Sequence, residues 1–168
     1  MLRSLRAVAV ALLLVSAASI PVSAQDAGIR IGAQAPVGPL ESLDGRTVEL
    51  ATIIGKQPMV LEFWATWCPT CQQLDPVMRS AHAKYGKQVR FVTVAVSVNQ
   101  SIERVRAWQK LHTLPGELLY DRQGTVSGAY DVPATSYVVV VDKTGTVVYT
   151  GVGATQNVDA AIRKMLSN

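Results

Sequence analysis

The chain has 168 residues, 49% of them hydrophobic and 17% charged, with a formal charge of +4. Apart from a small group at Arg104, Arg106 and Lys110 the basic residues are scattered, which argues against a nucleic-acid groove; no nucleic-acid partner is expected. No low-complexity tract or internal repeat interrupts the sequence, and its two cysteines, Cys68 and Cys71, are too few to be the framework of a disulfide-built fold.

Arg3 and Arg6 form a small basic n-region before an apolar run over residues 8–18, too short for a comfortable membrane span. Val22-Ser23-Ala24 then offers small residues at both positions a signal peptidase reads. Residues 1–24 are expected to be a signal peptide. The alternative is an uncleaved anchor, and only then is membrane contact expected. Without those two arginines, the sixteen Lys and Arg become fourteen against twelve Asp and Glu, so charge says little about partners. Residues 25–168 have the length of a single domain able to bury its own core.

Residues 25–40 are rich in Gly, Ala and Pro and predict a leading segment with little regular structure. Asp44-Gly45 is a turn signal followed by alternation to Leu50, which predicts a small hairpin. Residues 58–65 form a short apolar run with β-branched and aromatic content, the pattern of a buried strand. A helix is expected over 69–85, with Leu74, Val77, Met78 and Ala81 on its buried face, a bend at Pro76 and an end at Gly86. Residues 89–96 predict a second buried strand. Asn99 or Ser101 can cap the next helix, whose Ile102, Val105 and Trp108 face the sheet. Pro115-Gly116 is a turn, Leu118 to Tyr120 a short strand at best, and 121–130 a loop or short helix. Residues 137–142 carry the strongest strand signal, turned at Lys143-Thr144-Gly145 into an antiparallel partner over 146–150, which Gly151 and Gly153 break. A last helix starts near Asn157 with Val158, Ala161, Ile162, Met165 and Leu166 on its apolar face. This order predicts an α/β fold with a mixed central sheet, helices on both faces, an N-terminal hairpin and a central strand–helix addition.

The chemistry concentrates in Phe63-Trp64-Ala65-Thr66-Trp67-Cys68-Pro69-Thr70-Cys71. A bridge between Cys68 and Cys71 closes so short a loop that it removes little unfolded-state entropy, so a structural staple is a poor reading. A single CxxC supplies two metal ligands where structural zinc uses four, and His82 and His112 sit on or after separate helical stretches; no metal is expected. Reversible thiol–disulfide exchange is the better reading. Cys68 falls where strand hands over to helix, and the unpaired amides of a helix start stabilise a thiolate. Cys68 is expected to be the exposed attacking sulfur and Cys71, one turn later and more buried, the resolving one. Pro69 and Thr70 set the loop, and Pro69 suits a first helical turn. No cofactor beyond the redox-active Cys68–Cys71 disulfide is expected.

Glu62 interrupts an otherwise apolar strand six residues before Cys68. Buried beneath the dithiol, it would have a raised pKa and could take the proton from Cys71; the alternative is an edge-facing surface glutamate. Trp67 either joins the core or rims the site and contacts partners.

Residues 63–71 resemble the active-site segment of thioredoxin-like proteins. With Gly32-Ala33-Gln34-Ala35-Pro36 and the Leu43-Asp44-Gly45 turn, the chain is similar to the TlpA/ResA family of exported bacterial thiol–disulfide oxidoreductases over roughly residues 30–167. The resemblance implies reduction of disulfides in exported proteins, at the periplasm or the extracytoplasmic face of the inner membrane. It also implies electrons from a membrane thiol carrier and, for several members, a part in cytochrome c maturation. It implies a buried acid at Glu62. Two departures stand out. The glutamate that ResA-like proteins tend to carry three residues after the second cysteine is Leu74 here. Asp75 is adjacent but turned by about 100 degrees along a helix, and the family role is not moved onto it. The run from Tyr130 to Asp142 matches the family pattern without a gap, but its cis-proline slot holds Ser136, and Pro133 lies three residues early. Ser136 should prefer a trans bond. Either Pro133 shifts toward Cys68, or Thr135 and Ser136 line the site with a hydroxyl near the thiolate, the reading that needs no insertion. Trp67, Pro69, Thr70, Thr135 and Ser136 are thus the candidate substrate-binding residues.

Three functions compete: a reductase of exported protein disulfides, a disulfide donor of the same fold, and a non-enzymatic module that binds metal or client. A peroxidase usually wants a separate Thr-x-x-Cys pocket, and nothing in the chain supplies one. A helix-start CxxC next to a tryptophan favours the enzymes over the module.

Overall fold

The computed structural model describes residues 27–167. The leader over 1–24 therefore lies outside the described residues. In chain order the elements are β1 (Pro39–Ser42), β2 (Thr47–Glu49), a 3₁₀ turn (Leu50–Thr52), β3 (Met59–Trp64), α1 (Pro69–Tyr85), β4 (Arg90–Val96), α2 (Ile102–Gln109), β5 (Glu117–Asp121), α3 (Thr125–Ala129), β6 (Tyr137–Val141), β7 (Val147–Val152) and α4 (Val158–Leu166). The strands form one seven-stranded sheet in the order β2-β1-β5-β4-β3-β6-β7. β3, β4 and β5 run parallel, and every other pairing is antiparallel.

The apolar runs explain which strands lie in the middle. All six residues of β3 and all five of β6 are buried, as expected of strands covered on both faces. One face packs against α1 and α4 through Val60, Leu74, Met78, Ala81, Val138, Val140, Val158 and Ile162. The other packs against α2 and α3 through Leu61, Phe63, Val94, Ile102, Val105, Leu119, Val126 and Val139. The predicted two-sided mixed sheet is what the chain builds.

Two local expectations, for β5 and β7, are corrected, and others gain detail. β5 is not a marginal strand: five residues lie inside the sheet between β4 and β1. Its terminal Asp121 is only 1% exposed, because it accepts hydrogen bonds from the amides of Val126 and Ser127 and from the Ser127 hydroxyl at the start of α3. The leading segment has little regular structure, as its composition implies, apart from an isolated bridge from Gln34 to Thr146 beside β7. β7 continues through Gly151, paired with Val138, and stops before Gly153, whose φ is +100°. Gly86 ends α1 without the left-handed cap: its φ is −62°, and a Cβ there would sit 2.7 Å from the His82 carbonyl oxygen, so the glycine answers crowding rather than torsion. Ser101, not Asn99, caps α2, accepting from the Arg104 amide, and Asn157 caps α4.

Candidate active site

β3 delivers the chain from the centre of the sheet to the N-terminus of α1. Cys68 is the N-cap residue, with extended φ and ψ, and Pro69 occupies the first helical turn, where a missing amide hydrogen costs nothing. The amide of Cys71 donates to Cys68 Sγ at 3.0 Å, so an orphan donor of the helix start is aimed at that sulfur. The same donor, with the positive end of the helix behind it, would hold the reduced sulfur as thiolate. Cys68 and Cys71 are joined, with Cα atoms 5.3 Å apart, a usual spacing for a disulfide.

The expected asymmetry of exposure is not found. Cys68 is 2% exposed and Cys71 1%, both within the core cluster on the α2 face of the sheet. The bonded sulfurs fold back onto the helix start and pack against apolar neighbours. What stands at the surface is the rim: Trp67 and Pro69 are exposed and Thr70 is half-buried.

Trp67 is neither core nor free. Its Nε1–H donates to the Val98 carbonyl at 2.9 Å, and its ring borders an apolar groove of about 280 Å³ with Val96, Val98, Val132, Pro133 and Thr135. The loop beneath is fixed by Gln100, which sequence reasoning missed. Its Oε1 accepts from the Thr66 amide at 2.9 Å and its Nε2 donates to the Val96 carbonyl at 2.6 Å. A glutamine between a strand and a helix gives no signal of that task, since solvated loops use the same residue.

The segment before β6 takes the form the ungapped match implied, with one change. Among the described residues there is no cis peptide bond, and Ser136 has φ +62°, the left-handed region. Its amide donates to the Phe63 carbonyl at 2.9 Å, and its carbonyl accepts from Gln156 Nε2 at 2.8 Å. Its hydroxyl accepts from the Gly153 amide at 3.2 Å and is committed to the loop after β7. Pro133 and Thr135 both border the Trp67 groove, and Ser136 does not.

Glu62 is an interior residue, 2% exposed, paired with Thr93 of β4 on one side and Val138 of β6 on the other. The edge-facing alternative is excluded. Its Oε1 is buried with no hydrogen-bond partner. Burial, and then the negative charge of Asp75, push its carboxyl up to about 8. That brings the carboxyl toward the range in which thiols ordinarily titrate, where proton exchange between an acid and a thiol is efficient.

A second cleft, also about 280 Å³, opens on the other cysteine. It is lined by Trp64, Cys71, Asp75, Arg79, Trp108 and His112, among others. Trp108 meets Trp64 edge-on with centroids 4.7 Å apart and stacks on His112 at 4.2 Å. Leu74, in the slot where similar proteins tend to carry a glutamate, is fully buried on the α4 face, and Asp75 turns instead into this cleft.

Residues 31–150 match the AhpC/TSA family. The chain belongs to that family of thioredoxin-like proteins. It is 32% identical to the thioredoxin-like protein YneN of Bacillus subtilis over 126 residues, 74% of this chain and 73% of that one. It is also 32% identical to the thiol-disulfide oxidoreductase ResA of Geobacillus thermodenitrificans, covering 71% and 67% of the two chains. Among solved structures, Mycobacterium tuberculosis DsbF superposes with a TM-score of 0.65 at 27% identity, over 77% of this chain and 93% of that one. A thiol:disulfide interchange protein of Chlorobium tepidum, at 22% identity, shares the fold with a TM-score of 0.67 over 82% and 98%. With the closed Cys68–Cys71 pair, these similarities make this AhpC/TSA member a thiol–disulfide oxidoreductase.

Proposed function

We propose that the chain is an exported reductase of protein disulfides that uses Cys68 as nucleophile, Cys71 as resolving thiol and Glu62 as proton acceptor. The observation that carries this reading is the Cys71 amide aimed at Cys68 Sγ from a helix start. In the reduced enzyme the Cys68 thiolate attacks a substrate disulfide, forming a mixed disulfide and expelling one substrate thiolate. Cys71 passes its proton to Glu62, and its thiolate attacks Cys68 Sγ. The intramolecular disulfide forms, the second substrate thiolate leaves, and the two electrons lost by the enzyme rest on the substrate. The oxidised enzyme then needs a thiol donor, for which the resemblance to TlpA/ResA proteins points to a membrane carrier. Export rests on the leader over 1–24, and a role in cytochrome c maturation on that same resemblance. Among the described residues no helix is long and apolar enough to cross a membrane.

The substrate polypeptide is taken to lie in the groove beside Trp67, with the rim of Pro69, Thr70 and Thr135 around it. Because Cys68 is buried in the oxidised state, the electron donor must displace part of that rim to reach it.

Incubation with a disulfide substrate tests the reading. Cys68→Ser should abolish turnover and form no adduct, whereas Cys71→Ser should accumulate a covalent mixed disulfide visible by mass spectrometry. No adduct in either variant would sink the mechanism. Equilibration with glutathione tests direction: a potential near about −250 mV or lower supports the reductase, and one near about −120 mV would make the chain a disulfide donor instead.

A further inference from the structure

Glu62 cannot exchange its proton with bulk water directly, because it is 2% exposed and lies between two neighbouring strands. Each reductive cycle nevertheless leaves a proton on it, and that proton must depart before the next. A cleft over Cys71 opens on this side of the site. Asp75 is the residue that spans the distance from interior to surface. Its side chain is 26% exposed, its Oδ2 accepts from Arg79 Nε at 2.7 Å, and its Oδ1 is buried with no partner, as Glu62 Oε1 is. Glu62 Oε1 and Asp75 Oδ1 are both buried without a partner, which structural packing alone disfavours.

We propose that Asp75 is a positioning residue for the buried acid, carrying protons between Glu62 and the cleft over Cys71. The proposal rests on the redox reading above. Cys71 Sγ–H gives its proton to the Glu62 carboxylate, Glu62 passes it to the Asp75 carboxylate, and Asp75 releases it to water at the cleft it lines. No electrons move in these steps, and each carboxylate is restored. When the disulfide is reduced, the sequence runs backward and delivers a proton to Cys71.

The groups around Glu62 are few. Thr93 and Val138 flank it on β4 and β6 and carry no charge. Asp75 and Arg79 come from α1, and His112, exposed and stacked on Trp108, closes the outer wall of the cleft. Arg79 also donates to the Thr113 carbonyl, holding the cleft's far side to α1. Asp75 lies close enough for its charge to oppose ionisation of Glu62. Arg79 pairs with that same carboxylate at 2.7 Å, and its charge has the opposite sign.

The test is a carbon-13 NMR titration of the Glu62 carboxyl in the oxidised protein, with Asp75→Asn, Arg79→Gln and Asp75→Glu. Asp75→Asn should lower the Glu62 midpoint by about one pH unit. Arg79→Gln should raise it, and Asp75→Glu should restore it toward the parent value. In the reduced enzyme, Asp75→Asn should slow the decay of the Cys68 mixed disulfide about tenfold and move its pH profile with the midpoint. If Asp75 only tied α1 to the loop at Thr113, Asp75→Asn and Arg79→Gln would break the same tether and shift the midpoint in the same direction; that result overturns the proposal. So does a midpoint unchanged in Asp75→Asn. The titration uses no substrate, so its failure is distinct from failure of the redox reading, which the Cys71→Ser adduct decides. Loss of that adduct would remove the relay as well.

Discussion

Glu62 on β3 and Val138 on β6 face each other across one register position, and neither strand exposes any residue to water. Both strands are built for the middle of a sheet, and apart from the unpartnered Tyr137 hydroxyl of β6 each has one irregularity in it or beside it. On β3 it is a buried carboxyl whose Oε1 has no partner. Just before β6 it is Ser136, held in the left-handed region but with its amide, carbonyl and hydroxyl all hydrogen-bonded. The first costs free energy that a leucine at position 62 would save, and it lies six residues before Cys68. The second strains the backbone, and that strain is held in place by its own hydrogen bonds. The unsatisfied carboxyl, unlike the unpartnered hydroxyls of Tyr130 and Tyr137, can change charge within the ordinary pH range; the satisfied strain marks a changed loop whose consequences are architectural.

Replacing the carboxyl should sharpen this contrast most. Glu62 binds a proton in the folded protein up to about pH 8, whereas its ordinary value is 4.5. Between those values the folded state holds a proton that the unfolded state has lost. Stability therefore falls as pH rises through that window, by on the order of 1 kcal/mol per pH unit, and the penalty is absent below about pH 4.5. Glu62→Gln should remove the slope. Urea denaturation of the oxidised proteins should show similar stabilities near pH 4.5 and a variant several kcal/mol more stable at pH 8, while turnover in the variant falls. A variant whose stability follows the parent across that range would mean Glu62 is ordinarily hydrated, and the comparison with β6 would collapse.

Installing the proline that similar proteins carry at position 136 attacks the other irregularity. Proline fixes φ near −65°, which the +62° of Ser136 does not allow, and it deletes the amide that donates to Phe63. Ser136→Pro should cost about 3 kcal/mol or more by the same denaturation, unless the whole segment rearranges. Unchanged stability would show that the loop from Val132 to Ser136 readily adopts a second conformation.

The uneven legibility of the fold follows from the same physics. α1 was legible to the residue because its signals are local: a proline after the N-cap cysteine, apolar residues at helical spacing and a glycine at the end. The buried strands were legible because they are unbroken apolar runs. β5 was under-read because Glu117 and Asp121 bound it, and the amides that bury Asp121 belong to a helix formed afterwards. Leu74 and Asp75 illustrate the limit at the site itself. Helical rotation correctly separates their directions, but the cleft that receives Asp75 exists only once the loop around His112 and Leu114 folds over α1. Gln100 and the Trp67 groove likewise arise from contacts between distant segments, and no spacing in the chain announces them.

A plain packing change on the quiet strand supplies the reference scale. Val138 is fully buried between α1 and α4, opposite Glu62. Val138→Ala removes two methyl groups and should cost about 2 kcal/mol, transfer and cavity together. It also thins the apolar wall beside Glu62. If water enters the space, the carboxyl midpoint falls in the titration, and the cost of ionising it falls too. If the cavity stays dry, stability drops with no change in the midpoint, and burial of Glu62 is then set by β4 and α1.

Ser136→Gly should have the smallest effect, and its sign separates two accounts of the changed loop. Glycine adopts positive φ without the Cβ penalty, so the backbone term favours the variant by up to about 1 kcal/mol. It keeps the amide donated to Phe63 and the carbonyl that accepts from Gln156, and loses only the hydroxyl that accepts from Gly153. That single hydrogen bond is worth about 1 kcal/mol, and the Gly153 amide still has the Ser136 carbonyl at 3.3 Å. Near-equal stability, within about 0.5 kcal/mol, is therefore expected from paired denaturation curves, with turnover preserved because Ser136 stands outside the Trp67 groove. Lost turnover at full stability would place the hydroxyl in the chemistry after all, and the strained residue before β6 would then belong with Glu62 rather than in contrast to it.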